Sequence, residues 1–331
     1  MLFKKEVIKK ILLAVFICLS ILPFSGCAYK QNQVIIYTSA ESYRVEYMWN
    51  RLSEEFPEYD ILIEYMPTGN NAARLLVEGT ESVCDIVYDL EYTYLEQLSR
   101  KGILADLSEY DFSVFTEDVN RSKYYMVEYR NGGCIAINRN MLEKLGVEIP
   151  ESYSDLLDSK YKNLISMPNP VSSGTGYMFL LAMVNELGEE EALKYFDDLS
   201  KNVLQFTSSG SGPVNALVQG EVAIGLTSTG VAVNAINSGA EIEIIYFDEG
   251  SPYSLYGQAM ISGKEKDPEV KAVFDFLYST YSYENCKMFF PEQIFKDKTF
   301  EVKNYPSQIK YCDMSGDTLE KKEELLSKWK Y

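Results

Sequence analysis

Residues 164–184 read LISMPNPVSSGTGYMFLLAMV. Leu164 to Met167 is a short apolar run of strand length. Pro168 and Pro170 stop it, because proline donates no ladder hydrogen bond. Ser172, Ser173, Gly174, Thr175 and Gly176 follow, and then a long apolar segment of helix character. The order is strand, hydroxyl-rich loop, helix. One N-cap needs one Ser or Thr, and this loop holds three hydroxyl residues and two glycines.

The same order recurs outward from this stretch. Val34 to Tyr37 reads as a buried strand ending in Thr38-Ser39-Ala40, with Val45, Met48, Trp49, Leu52 and Phe56 at helical spacing behind it. Ile61 to Ile63 is a strand followed by Pro67-Thr68-Gly69-Asn70 and a short helix over 71–77. Asp85 to Tyr88 is a strand that ends at Asp89, with a helix over 92–98. Further strands are read at 134–137, 203–206, 222–226, 242–247 and 259–262, and helices at 141–145, 189–200, 268–277, 284–290 and 318–329. Ser152 and Asp155 make a capping-box pattern. Val203 to Phe206 runs into Thr207-Ser208-Ser209-Gly210-Ser211-Gly212, and Val222 to Leu226 into Thr227-Ser228-Thr229-Gly230. Alternating strands and helices predict an α/β fold with a mostly parallel sheet covered by helices.

In such sheets ligands bind beyond the carboxyl ends of the strands. Helices also begin there, and a helix start offers unpaired N–H groups and partial positive charge. Hydroxyls add donors, and glycine admits close approach. One exposed helix terminus contributes only about 0.3–1 kcal/mol, whereas micromolar binding needs about 8 kcal/mol. Several loops must therefore converge. The predicted ligand residues are Thr38, Ser39, Gly69, Asn70, Asp89, Ser172, Ser173, Gly174, Thr175, Ser209, Ser211, Thr227 and Ser228. Asp89 has two readings, a helix cap or an acceptor for a ligand amine or hydroxyl.

Composition excludes other classes. The chain has 331 residues, and its 31 basic against 49 acidic residues give a net charge of −18. It supplies no basic stripe for nucleic acid. It contains no histidine, which removes a Ser-His-Asp triad, HExxH zinc chemistry and imidazole acid–base catalysis. Cys84, Cys134, Cys286 and Cys312 form no CxxC pair. They are read either as disulfides of an exported chain or as buried thiols. Ser159 and Lys162 form an S-x-x-K string among Asp158, Lys160 and Tyr161, a setting that reads as a solvated turn. The expectation is a binding protein with no metal and no cofactor, and an extracytoplasmic enzyme is the remote alternative.

The N-terminus carries a leader. Lys4, Lys5, Lys9 and Lys10 precede an apolar run from Ile11 to Leu22, of secretory rather than membrane-spanning length. Phe24-Ser25-Gly26-Cys27 follows and resembles the bacterial lipoprotein signal, with Phe24 where a leucine is usual. That resemblance implies removal of residues 1–26, a lipid on Cys27 (a palmitate-bearing anchor) and a tether over 27–33. The lipid would hold the domain at the outer face of the membrane.

The mature chain resembles an extracytoplasmic solute-binding protein of an ABC importer. More narrowly, it is similar to the two-lobed family of ferric-ion, thiamine, phosphonate and sugar-phosphate binders. The residues that carry this are Val34 to Ala40, Gly133 to Asn138, Pro150 to Leu157, Tyr161 to Tyr177, Ser209 to Leu226, Glu249 to Tyr253, and Asp267-Pro268-Glu269. The resemblance implies two mixed or parallel-sheet lobes joined by a two-strand hinge, with ligand in the cleft between them. Lobe one would be 34–131 plus 257–290, and lobe two 132–256 plus 291–331. The crossings would fall near 130–134 and 256–263. It also implies a monomer that hands its solute to an ABC permease and ATPase, or a sensor that signals to a membrane receptor. Ferric relatives use adjacent tyrosines late in lobe two. Here that region reads Leu226 to Gly230 without tyrosine, and Tyr124-Tyr125 lies in a different segment. Hydroxyl loops suit a phosphonate, phosphate ester or sugar phosphate better than Fe³⁺, which prefers anionic oxygen. Tyr253 is read either as closing over the ligand's organic part or as packing at the hinge.

Overall fold

The computed structural model describes residues 33–119 and 122–331. The leader, Cys27 and the rest of the tether up to residue 32 lie outside the described residues.

Strands β1 (Gln33–Thr38), β2 (Asp60–Tyr65) and β3 (Ile86–Glu91) alternate with helices α1 (Ser42–Glu55), α2 (Thr68–Glu78) and α3 (Tyr92–Arg100). A long strand β4 (Met126–Ile137) then leads to α4 (Arg139–Leu145) and β5 (Ile165–Pro168). Next come α5 (Gly174–Leu187), α6 (Glu189–Leu199), β6 (Val203–Thr207), α7 (Gly212–Gln219), β7 (Ile224–Ser228) and α8 (Thr229–Asn237). Short β8 (Glu243–Ile245) precedes β9 (Tyr253–Met260), and α9 (Pro268–Phe276), α10 (Ser282–Met288) and α11 (Leu319–Lys328) complete the chain. The capping box forms: the Asp155 N–H reaches Ser152 Oγ at 3.1 Å, and the Glu151 N–H reaches Asp155 Oδ2 at 2.9 Å. It starts only a single 3₁₀ turn.

The strands run in the order β2-β1-β3-β9-β4-β7-β5-β6, with β8 also paired to β4. β1–β3, β5–β6 and β5–β7 are parallel, whereas β4 and β9 are antiparallel to their neighbours. The sheet is therefore mixed, because two antiparallel strands join two βα halves. β4 pairs with β9 through Gly132 and with β7 from Gly133 onward. Its partner changes at the glycine pair, where both glycines are closely packed. A Cβ on Gly132 would lie 2.6 Å from the Tyr311 hydroxyl, and one on Gly133 would lie 2.8 Å from Pro252.

Two large apolar cores flank this crossing. One gathers Val34 to Val127 with Leu255 to Phe295, and the other Ile135 to Phe247 with Met314 and Leu325. α11 rests on the second core through Leu325, Leu326 and Trp329. It also pushes Lys322 onto Glu91 of β3, with Lys322 Nζ 2.7 Å from Thr93 Oγ1.

Cys84, Cys134, Cys286 and Cys312 are free thiols, which decides between the two sequence readings. Cys84, Cys134 and Cys286 are buried, and burial pushes the Cys134 thiol up to about 12. They act as packing groups, since the thiolate is the nucleophile. Ser159 sits in a 3₁₀ turn whose N–H contacts go to Asp158. Among the described residues no helix is long and apolar enough to cross a membrane.

Candidate functional site

A cleft opens where the two halves face each other across β4 and β9. Its far wall comes from the second half. Ser173 caps α5, its hydroxyl accepting the Gly176 N–H at 3.4 Å. Gly174 is required there, because a Cβ would fall 2.3 Å from the Tyr256 hydroxyl. This close seat turns Ser172, Ser173 and Thr175 into the cleft, opposite Ser208, Ser209 and Gly210 of the loop before α7. The near wall is Ser39, Tyr65, Pro67 and Thr68 from the first half. The starts of α2 and α5, and the loop leading into α7, thus border one space. That space is about 30 Å³, room for a water or two. As it stands, the space is smaller than a phosphate ester.

The floor is charged. Arg44 is fully buried, and its Nη1 lies 2.9 Å from Asp89, 3.2 Å from Glu41 and 3.1 Å from the Tyr129 hydroxyl. Tyr129 also donates to Asp89 at 2.6 Å, and Asn285 Oδ1 accepts from Arg44 at 3.3 Å. The Tyr129 ring stacks between Tyr256 and Phe290, and the guanidinium sits 4.6 Å from its centroid. Burial opposes the guanidinium charge, but Asp89, Tyr129 and Glu41 outweigh it, so Arg44 is held above its ordinary pKa. Burial also raises Glu41 from its ordinary value, against the pull of Arg44. Asp89 reaches the floor because its φ is 60°, at a bulge between β3 and β9. Aspartate tolerates this left-handed conformation better than most residues. Two carboxylates therefore share one cation, and Arg44 has no charge to spare for a ligand anion.

Ser39, Asp89, Ser172, Ser173, Gly174, Thr175 and Ser209 of the predicted residues come together on this cleft. The others do not line it, for identifiable reasons. Thr38 Oγ1 is buried and accepts the Ala40 N–H at 3.1 Å. Gly69 seals the two walls: its N–H donates to the Ser172 carbonyl at 3.2 Å, and a Cβ would strike the Val171 carbonyl. Asn70 points to solvent. Thr227 holds the Gly210 carbonyl at 2.7 Å. Ser228 donates to Asn131, whose amide donates to Thr175 Oγ1 at 3.3 Å. Ser211 stands one step outside, its hydroxyl 3.1 Å from that of Ser209. Tyr253 packs edge-on to Tyr311, with Arg130 5.0 Å from its ring. Asp89 caps no helix; it pairs with Arg44 and borders the cleft.

Sequence reasoning missed Glu41, Arg44, Tyr65, Thr68, Tyr129, Asn131 and Tyr256. Arg44 carried one signal, a cation a single turn into the helix after a small-residue loop. Asn131 carried another, an amide directly before Gly132-Gly133.

Known proteins with this architecture put the cleft in context. A family-wide sequence profile of bacterial extracellular solute-binding proteins matches residues 81–318. An uncharacterized protein of Haemophilus influenzae is 25% identical over 266 residues, spanning 78% of this chain and 76% of the relative. The periplasmic binding protein AfuA from Actinobacillus pleuropneumoniae, with exogenous fructose-6-phosphate bound, superposes with a TM-score of 0.80 at 23% identity, covering 90% of this chain and 98% of that one. Iron-bound HitA from Pseudomonas aeruginosa gives a TM-score of 0.72 at 17% identity, over 89% and 97% of the two chains. These structural likenesses establish a shared fold, and the profile spans well over half of the sequence: the chain belongs to the bacterial extracellular solute-binding protein family.

Proposed function

We propose that the protein captures a small oxyanion-bearing solute, a phosphate ester, sugar phosphate or phosphonate, and delivers it to an ABC permease and its ATPase. It binds and does not catalyse. The observation that carries this reading is the convergence of hydroxyl loops at the starts of α2, α5 and α7 on one cleft. Helix starts and hydroxyls favour an anion. The floor carboxylates suit the other end of such a solute, because Asp89 and Glu41 accept hydrogen bonds from hydroxyls. The fructose-6-phosphate held by AfuA has both ends.

Iron fits less well. Burial holds the Tyr129 and Tyr256 hydroxyls well above the ordinary tyrosine pKa, which disfavours the phenolate a ferric site needs. Tyr125 is packed in the first core.

The two cores fit lobes of about 34–131 plus 257–290 and 132–256 plus 291–331, hinged on β4 and β9, except that Leu255, Ile294 and Phe295 pack in the first core. The leader sequence and Phe24-Ser25-Gly26-Cys27 support a lipid anchor at Cys27 on the outer face of the cell membrane.

A thermal-shift screen with phosphonates, sugar phosphates, thiamine phosphates, polyamines and Fe³⁺ tests this. A true ligand at a hundredfold excess over Kd stabilises the fold by about 2.7 kcal/mol. The expected response is to phosphate esters. A response to Fe³⁺ alone would refute the oxyanion reading.

A further inference from the structure

The cleft as it stands has room for a water or two, but it is not isolated. A second space of about 720 Å³ adjoins it, lined by Val45, Trp49 and Leu62 together with Glu41, Tyr65 and Ser211. Glu41 and Tyr65 border both spaces. The Ser211 hydroxyl touches that of Ser209 in the cleft. Tyr65 lines both spaces and so stands at the threshold between the two.

The groove is apolar where the cleft is polar. Trp49 is 51% exposed, Tyr65 50% and Leu62 43%. Single exposed apolar residues need no explanation, but three large ones around one hollow do. Trp49 is one of two tryptophans in the chain, and the other, Trp329, packs against Phe196 and Phe206. The groove lies between α1 and β2, the outermost strand of the sheet. A second copy of the chain is a poor occupant. Glu41 and Glu46 rim the groove, and a self-contact would set these carboxylates against their own copies on a chain of net charge −18.

We propose that this groove is a subsite for an apolar portion of the solute whose anionic head occupies the cleft, so that the protein selects phosphate esters of apolar alcohols. The head lies among the hydroxyl loops, the chain passes Tyr65, and the tail covers Trp49 and Leu62. This rests on the oxyanion reading of the cleft, and it adds a tail to it.

The test uses the complete mature domain and a series of fixed head and growing tail: inorganic phosphate, then methyl, butyl and hexyl phosphate, titrated by calorimetry. Full burial of one methylene strengthens binding about fourfold. Hexyl phosphate is therefore expected to bind at least tenfold more tightly than methyl phosphate. In Trp49→Ser/Leu62→Ser that ratio is expected to fall to about one. In a Trp329→Phe background, hexyl phosphate shifts the remaining Trp49 emission to shorter wavelength and methyl phosphate does not. Binding of every ester with equal affinity overturns the groove and leaves the oxyanion reading standing. No binding of phosphate or any ester overturns both. A flat series together with a dimer in sedimentation, lost in the Trp49→Ser variant, assigns the groove to a second copy and overturns the proposal.

Discussion

The two sides of the cleft are built in opposite ways. The far wall is local and neutral: residues 172–175 and 208–210 come from two short loops, and each loop is shaped by caps and glycines within a few residues. The floor is assembled from afar and charged: Glu41 with Arg44, Asp89, Tyr129 and Asn285 arrive from four points in the chain. The wall offers donors at little cost, because hydroxyls and helix starts carry no full charge into the interior. The floor carries three formal charges, and it is stable only while each has its partner.

Breaking the floor is expected to have the largest effect. Arg44→Met leaves Asp89 and Glu41 without their cation. Chemical denaturation should show a loss of about 3–5 kcal/mol, and adding Asp89→Asn should restore part of it. A loss below about 1 kcal/mol would mean that the floor is not held by charge.

Glu128 gives a smaller effect of opposite sign. It lies beside this cluster, fully buried, near the Tyr88 hydroxyl and the Asp89 backbone. Burial, and then the Asp89 charge, hold it well above the carboxylate range. The unfolded chain ionises near the ordinary value, so the folded state binds the extra proton. The stability Glu128 contributes is present at acid pH and is lost as pH rises toward its folded pKa. Glu128→Gln should match the wild type near pH 4 and exceed it at neutral pH by at least about 1 kcal/mol. Parallel stability curves across that window would contradict this.

The same contrast explains how much could be read in advance. The wall was legible because its signals are adjacent in sequence: Pro168 and Pro170 stop a strand, Ser173 caps, and Met178 onward is apolar. The α/β rhythm was legible for the same reason. The floor was not, since Arg44 and Glu41 look like the polar face of a surface helix until β3 and β4 are laid beside them. Asp89 was singled out as a cap or a ligand acceptor, and only its left-handed φ shows that it turns back to Arg44. β4 was read short because Asn131-Gly132-Gly133 has the composition of a turn. Tyr311 and Pro252 close on those glycines and carry the strand straight through, a tertiary effect with no local trace. Thr227 and Ser228 have the right chemistry, but they sit one layer behind the cleft, where Gly210 and Asn131 take up their hydroxyls.

The wall's role is tested most directly by removing its hydroxyls and leaving the floor untouched. Ser173→Ala/Thr175→Ala should fold, with about 1 kcal/mol lost from the missing cap on α5. Calorimetric titration with the phosphate ester that most stabilises the wild type should show affinity reduced at least tenfold, about 1.4 kcal/mol. Unchanged affinity in a folded double variant would contradict the assignment of this cleft to an oxyanion.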